Sequence, residues 1–123
     1  MSQTLTIAVV EDDPSFLRAL QRLLSGAGFT VATFASAEEF LASESAEGTA
    51  CLVLDVHLDG MSGFDLSQHL TTAGILIPTI FITAHDDPAT RKRARAGAAY
   101  LRKPFREHAL IGAIHQALEQ RGA

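Results

Sequence analysis

The sequence predicts an α/β fold in which a parallel sheet is covered by helices on both faces. Three observations carry this. Five short strand-like segments alternate with five segments of helical character, so the chain reads as βα units in series. Such a series gives a parallel sheet with helices packed on both faces. The stretch 51–63, CLVLDVHLDGMSG, is a continuous apolar run that ends in the carboxylate of Asp55 and breaks into a Gly-rich loop. That is the pattern of a fully buried strand. Four strand-like segments also lead into reactive groups: Glu11-Asp12-Asp13, Asp55, Thr83 and Lys103. In open α/β sheets, ligand chemistry collects outside the carboxyl ends of the strands.

Each element has its own local signal. Residues 4–10 are predicted as the first strand. Asp13-Pro14 then opens a helix, with Asp as N-cap and Pro at the first helical position. Phe16, Leu17, Leu20, Leu23 and Leu24 follow one face, and Gly26 or Gly28 stops the helix. This Gly-Ala-Gly follows a helix, whereas a dinucleotide loop follows a strand. Residues 29–34 form the second strand. Ser36 and Glu39 have the spacing of a capping box, and the short second helix runs to about residue 45. The third strand covers 51–56 and the third helix 63–73, closed by Gly74.

Residues 77–82 read as the fourth strand, with Pro78 near its start. Asp87-Pro88 repeats the cap-plus-proline signal, and this fourth helix extends to Gly97. It has only Ala89, Ala94 and Ala96 as apolar side chains, and it carries Arg91, Lys92, Arg93 and Arg95. Either a solvated basic face or a loosely anchored partner surface fits that composition. Residues 98–101 form a short fifth strand. The last helix covers about 106–120, with Leu110, Ile111, Ile114, Ala117 and Leu118 apolar.

Composition bounds the function. At 123 residues with 47% hydrophobic side chains, residues 1–123 are expected to form a single domain with one core. A net charge of −4 gives no case for direct nucleic-acid binding. No apolar run approaches the ~20 residues that span a membrane, and the N-terminus lacks a signal-peptide pattern. Cys51 is the only cysteine, so no intrachain disulfide forms; a reducing, cytoplasmic setting is expected. His57, His69, His85, His108 and His115 show no zinc spacing.

The motifs VVEDDP, LVLDVHLDGMSG, FITA and GAAYLRKPF, in this order and spacing, resemble the receiver domain of bacterial two-component response regulators, the chemotaxis-Y-like family. The resemblance covers essentially the whole chain. GFTVATFASAEEFL is also similar to the receivers of nitrogen-fixation and nodulation regulators. The fold implied is a doubly wound, flavodoxin-like (βα)5 three-layer sandwich with sheet order 2-1-3-4-5. No output domain is expected within the chain.

By resemblance, Asp55 is the phosphoacceptor; a carboxylate can attack phosphorus and form an acyl phosphate. Glu11, Asp12, Asp55 and the backbone carbonyl of His57 are then the ligands of Mg²⁺ or Mn²⁺. Clustered carboxylates repel until a cation neutralises them, and hard oxygen ligands suit Mg²⁺. Asp13 precedes Pro14 and reads as the helix cap. Thr83 and Lys103 are implied to bind phosphoryl oxygens, with a cis proline at Pro104 aiming the lysine. The small side chain of Ala84 leaves room for the phosphoryl group.

Thr83 and Tyr100 are read as the switch pair, with Tyr100 as a plain edge-strand aromatic the alternative; His85, two residues past Thr83 where the loop borders the phosphoryl group, is either a tuner of phosphate lifetime or a solvated loop histidine. The partners implied are a histidine kinase or phosphotransfer protein, and a downstream protein or output domain that docks on the fourth helix, fifth strand and fifth helix. A phosphorylation-dependent homodimer is also consistent. One departure is visible: the family usually carries proline where this chain has Asp59.

Two other readings compete. A phosphatase of the haloacid dehalogenase type needs a second aspartate two residues after its nucleophile, where this chain has His57. A docking-only pseudo-receiver has no use for the full set of acids, Thr83 and Lys103.

Overall fold

The computed structural model describes residues 5–121. In order, the elements are β1 (Thr6–Val10), α1 (Pro14–Gly26), β2 (Thr30–Phe34), α2 (Ala37–Ala42), a 3-10 turn (Ala46–Gly48), β3 (Thr49–Asp55), α3 (Gly63–Thr72), β4 (Thr79–Thr83), α4 (Pro88–Ala94), β5 (Ala99–Arg102) and α5 (Glu107–Arg121). The strands form one parallel sheet of order β2-β1-β3-β4-β5. The predicted (βα)5 architecture and sheet order are those observed.

Successive side chains of a strand point to opposite faces, and the central strands use both. Ala8, Val10, Leu52 and Leu54 enter a core with Phe40 of α2, Phe64, Leu66 and Leu70 of α3, and Ala94 of α4. Their neighbours Ile7, Val9, Cys51 and Val53 enter a second core with Leu20 and Leu24 of α1 and Leu110, Ile114 and Ala117 of α5. The sheet is thus the middle layer of three. All seven residues of β3 are buried, as its continuous apolar run requires.

Element ends differ from the sequence expectation where tertiary contacts intervene. Thr4 lies outside the described residues, and β1 begins at Thr6. β3 begins at Thr49 and ends at Asp55, so Val56 is buried but outside the strand. β4 begins after Pro78, which has no N–H for the ladder; its carbonyl instead accepts from Leu52 N at 2.9 Å. Helix α2 stops at Ala42 and the chain re-forms as the 3-10 turn, rather than running to residue 45. Helix α4 stops at Ala94, short of Gly97. A Cβ on Gly97 would lie 2.7 Å from both the Phe81 ring and the Thr79 carbonyl, so glycine lets the chain pass close to β4 there.

The predicted caps form. Asp13 accepts from Ser15 N and Phe16 N, and Asp87 accepts from Thr90 N. Ser36 accepts from Glu39 N, but Glu39 reaches Ala35 N at 3.3 Å rather than the cap residue itself. The full reciprocal box is at Ser62 and Asp65, before α3.

Burial also sets the chemistry of Cys51. The residue is fully buried, and desolvation pushes its thiol up to about 12. Because the thiolate is the nucleophile, Cys51 is expected to resist alkylation at pH 8 in the folded protein and to react fully after unfolding. Mass spectrometry of alkylated samples with and without denaturant measures this; rapid native labelling would contradict it.

Candidate functional site

All five strands run parallel, so their carboxyl ends share one edge of the sheet. Glu11 and Asp12 follow β1, Asp55 ends β3, Thr83 ends β4, and Lys103 follows β5. Carboxylate oxygens of Glu11, Asp12 and Asp55 all lie within 4.8 Å of one another. Asp13, adjacent in sequence, is occupied at the start of α1. An all-oxygen cluster of this kind fits a hard cation such as Mg²⁺.

Lys103 bridges two of these acids. Its Nζ is 2.5 Å from Glu11 Oε1 and 3.4 Å from Asp55 Oδ2. Its backbone N donates to the Thr83 carbonyl at 2.7 Å, and the Lys103-Pro104 peptide is cis. The ammonium also rests 4.6 Å from the centroid of the Phe16 ring, a cation–π contact. Burial opposes the ammonium, but its hydrogen bond to Glu11 and the charges of Asp55 and Glu11 hold its pKa above the ordinary value.

Glu11 is the most deeply buried acid, at 1% exposed. Burial raises its pKa to about 7, against the hydrogen bonds from Lys103 and Asp13 N, and the Asp55 charge adds to the rise. A carboxyl whose pKa is higher in the folded than in the unfolded state favours folding while protonated. That contribution is complete below about pH 4.5 and is lost as pH rises to about 7. Each tenfold difference in proton affinity is about 1.4 kcal/mol. In metal-free buffer, Glu11→Gln is therefore expected to lose less stability than wild type between these pH values. Denaturant midpoints across that range measure the effect; parallel curves would contradict it.

The loop after Asp55 is tied to the acids. Asp55 Oδ1 accepts from His57 N at 3.2 Å. Asp12 Oδ2 accepts from Asp59 N at 3.3 Å, a bond that proline at this position would lack. Two further residues shape the loop and were not foreseen. Glu38 of α2 accepts from Met61 N at 3.1 Å. Gly63 opens α3 against the Asp55 carbonyl, where a Cβ would stand 2.2 Å from that oxygen. The Ser62-Gly63 step in the sequence signals a helix start but not this close approach.

On the other side, Thr83 is fully buried. Its hydroxyl accepts from His85 N at 3.0 Å and donates to the His85 carbonyl at 3.3 Å. The Tyr100 hydroxyl approaches the same carbonyl at 3.5 Å and donates to Asp86 Oδ1 at 3.0 Å. Asp86 also pairs with Arg91 Nε at 3.2 Å and Arg102 Nη1 at 3.7 Å. The rings of His57 and His85 meet edge to face with centroids 4.4 Å apart.

Helix α4 is held by more than the alanines its sequence offers. Thr90 is buried with Ala94, and the Arg93 guanidinium lies 4.4 Å from the centroid of the Phe64 ring. A cavity of about 510 Å³ opens elsewhere, lined by Leu70, Ile75, Pro78, Gly97 and Ala117 among others. It contains none of the convergent acids, so volume alone does not locate the site.

Among the described residues, no helix is long and apolar enough to cross a membrane. Comparison with known proteins agrees with the geometry. Residues 7–115 match the family model described as the response regulator receiver domain. The chain is 45% identical over 116 residues to nodulation protein W of Bradyrhizobium diazoefficiens, covering 93% of this chain and 51% of that protein. It is 42% identical over 115 residues to the response regulator protein TodT of Pseudomonas putida, covering 92% of this chain and 51% of that protein. The chain thus spans about half the length of these curated relatives. Among solved structures, FixJ-N superposes with a TM-score of 0.86 at 34% identity, covering 96% of each chain. Fold, convergent acids and relatives agree, and the chain belongs to the response regulator receiver domains of two-component signalling.

Proposed function

We propose that this receiver domain is a phosphorylation switch in which Asp55 accepts a phosphoryl group from a partner histidine kinase or phosphotransfer protein. The observation that carries this is the convergence of Glu11, Asp12 and Asp55 with Lys103 at the carboxyl edge of the sheet.

In this reading, Glu11, Asp12, Asp55 and the His57 carbonyl hold Mg²⁺ or Mn²⁺. The bound cation supplies positive charge that offsets the carboxylates and the phosphoryl oxygens. A carboxylate oxygen of Asp55 attacks phosphorus, the donor's bond to phosphorus breaks, and an aspartyl phosphate forms. Lys103 already faces Asp55 Oδ2 and neutralises charge on the transferring group. Thr83 gives up its hydrogen bond to the His85 carbonyl and donates to a phosphoryl oxygen. Hydrolysis of the aspartyl phosphate resets the switch, with His85 at the mouth of the site tuning access of water. The domain thus catalyses its own phosphorylation and dephosphorylation and turns over no external metabolite. Its output passes through α4, β5 and α5 to a downstream protein, an output domain or a second copy.

A small phosphodonor such as acetyl phosphate tests this by intact mass and peptide mapping. The expected result is one phosphate adduct, at Asp55, that forms only with Mg²⁺ or Mn²⁺ and is absent from Asp55→Asn. No adduct under any condition favours a docking-only role. Multiple turnover of phosphate monoesters favours a phosphatase. An adduct retained in Asp55→Asn moves the acceptor to another residue.

A further inference from the structure

His57 and His85 are brought together only by the fold. One follows β3 and the other β4, neighbouring parallel strands, so both project over the edge that carries the acids. Both are exposed, and their ring centroids are 4.4 Å apart with planes at 75°. A metal–nitrogen distance of about 2.0–2.1 Å places an ion roughly 3.2 Å from an imidazole centroid, so two rings at right angles about one ion stand roughly 4.5 Å apart. The observed separation matches that spacing. The edge-to-face orientation requires one ring to turn about its Cβ–Cγ bond before both nitrogens converge. For an exposed histidine this torsion is broad.

We propose that His57 and His85 form a two-imidazole site for a transition-metal dication, separate from the all-oxygen cluster of Glu11, Asp12 and Asp55. Ligand chemistry keeps the two sites apart: imidazole selects Ni²⁺, Cu²⁺ or Zn²⁺, and carboxylates and carbonyls select Mg²⁺. Water completes the coordination.

The position gives such an ion a consequence. The backbone of His85 holds the Thr83 hydroxyl through both its N–H and its carbonyl, and the same carbonyl faces the Tyr100 hydroxyl. An ion shared with His57 fastens this segment to the loop that follows Asp55. It therefore opposes release of Thr83 and slows phosphorylation. This clasp effect rests on the switch proposed above; the metal site does not.

Ni²⁺ is titrated calorimetrically into the whole chain in the presence of saturating Mg²⁺. His57→Ala, His85→Ala and, as a control, His69→Ala are compared with wild type. One Ni²⁺ per chain is expected, with affinity at least tenfold lower in each of the first two variants and unchanged in the third. Paramagnetic broadening of the His57 and His85 ring signals in NMR spectra provides a second readout. No Ni²⁺ binding, unchanged affinity in either variant, or release of Ni²⁺ in proportion to added Mg²⁺ overturns the site. A parallel assay follows modification by acetyl phosphate with and without Ni²⁺. Slowing in wild type but not in His85→Ala supports the clasp, and equal rates overturn it. If the chain takes up no phosphate at all, the proposed switch fails and the calorimetry still decides the site.

Discussion

Asp12→Ala is expected to weaken Mg²⁺ binding by more than about 100-fold, with Asp13→Ala remaining near wild type. Loss of a residue that only orients a metal ligand already costs about 10–100-fold, and removal of a ligating carboxylate should cost more. The two aspartates are adjacent in sequence but differ in employment. An oxygen of Asp12 lies within 4.8 Å of oxygens of Glu11 and Asp55. Asp13 instead accepts from Ser15 N at 3.0 Å and Phe16 N at 3.4 Å, at the positive end of α1. Its removal should cost a cap, about 0.5–2 kcal/mol. Mg²⁺ titration and denaturant unfolding of both variants separate the two roles. Equal loss of Mg²⁺ affinity would mean that Asp13 leaves its cap to bind metal. Asp12→Ala also frees Asp59 N, so a change in the loop after Asp55 should accompany the lost affinity.

Thr83→Ala and Tyr100→Ala are each expected to accept phosphate yet lose the phosphorylation-dependent change in partner affinity. In the described conformation the two residues share the His85 carbonyl, and Asp86 accepts from the Tyr100 hydroxyl while the ring packs partly buried against the core. Burial, then the hydrogen bond to Asp86 and its charge, raise the phenol pKa. In the proposed switch the Thr83 hydroxyl turns to a phosphoryl oxygen, so the His85 carbonyl would lose one donor and space would open beside β4. Tyr100 can enter that space only by leaving Asp86. Exposed ion pairs such as those of Asp86 with Arg91 and Arg102 are worth about 0–1 kcal/mol, so the contacts that fix Asp86 beside Tyr100 are easily displaced. Coupling requires two states with different partner affinity.

Tyr100 is the only tyrosine, and the chain has no tryptophan. Intrinsic fluorescence therefore reports this one ring. Phosphorylation should change it in wild type and not in Thr83→Ala. Binding to the downstream partner, or self-association where none is identified, measures the output. Variants that are phosphorylated and keep the full affinity change would place the coupling elsewhere.

Local chemistry by itself determined much of this protein. The apolar run into Asp55, the Asp13-Pro14 and Asp87-Pro88 starts, and the 3.6-residue periodicity of α1 act over a few residues. They mark elements without reference to the rest of the chain. The choice of Asp13 as cap rather than third carboxylate was legible for the same reason. The convergence of Glu11, Asp12 and Asp55 was legible because parallel strands deliver their carboxyl ends to one edge.

What only the tertiary structure decided depends on loops that meet across that edge. Nothing near Lys103 in sequence says that its ammonium sits closer to Glu11 than to Asp55. The tie from Glu38 to Met61, the Asp59 bond to Asp12, and the Asp86 contacts to Tyr100, Arg91 and Arg102 join segments set side by side by sheet order. Helix α4 reads as held by alanines alone because Phe64, which carries Arg93, comes from a different helix. His57 and His85 look like isolated loop residues until β3 and β4 pair. Periodicity and caps are properties of neighbours along the chain. Such contacts belong to strand register and crossover, which are settled only when the whole sheet has formed.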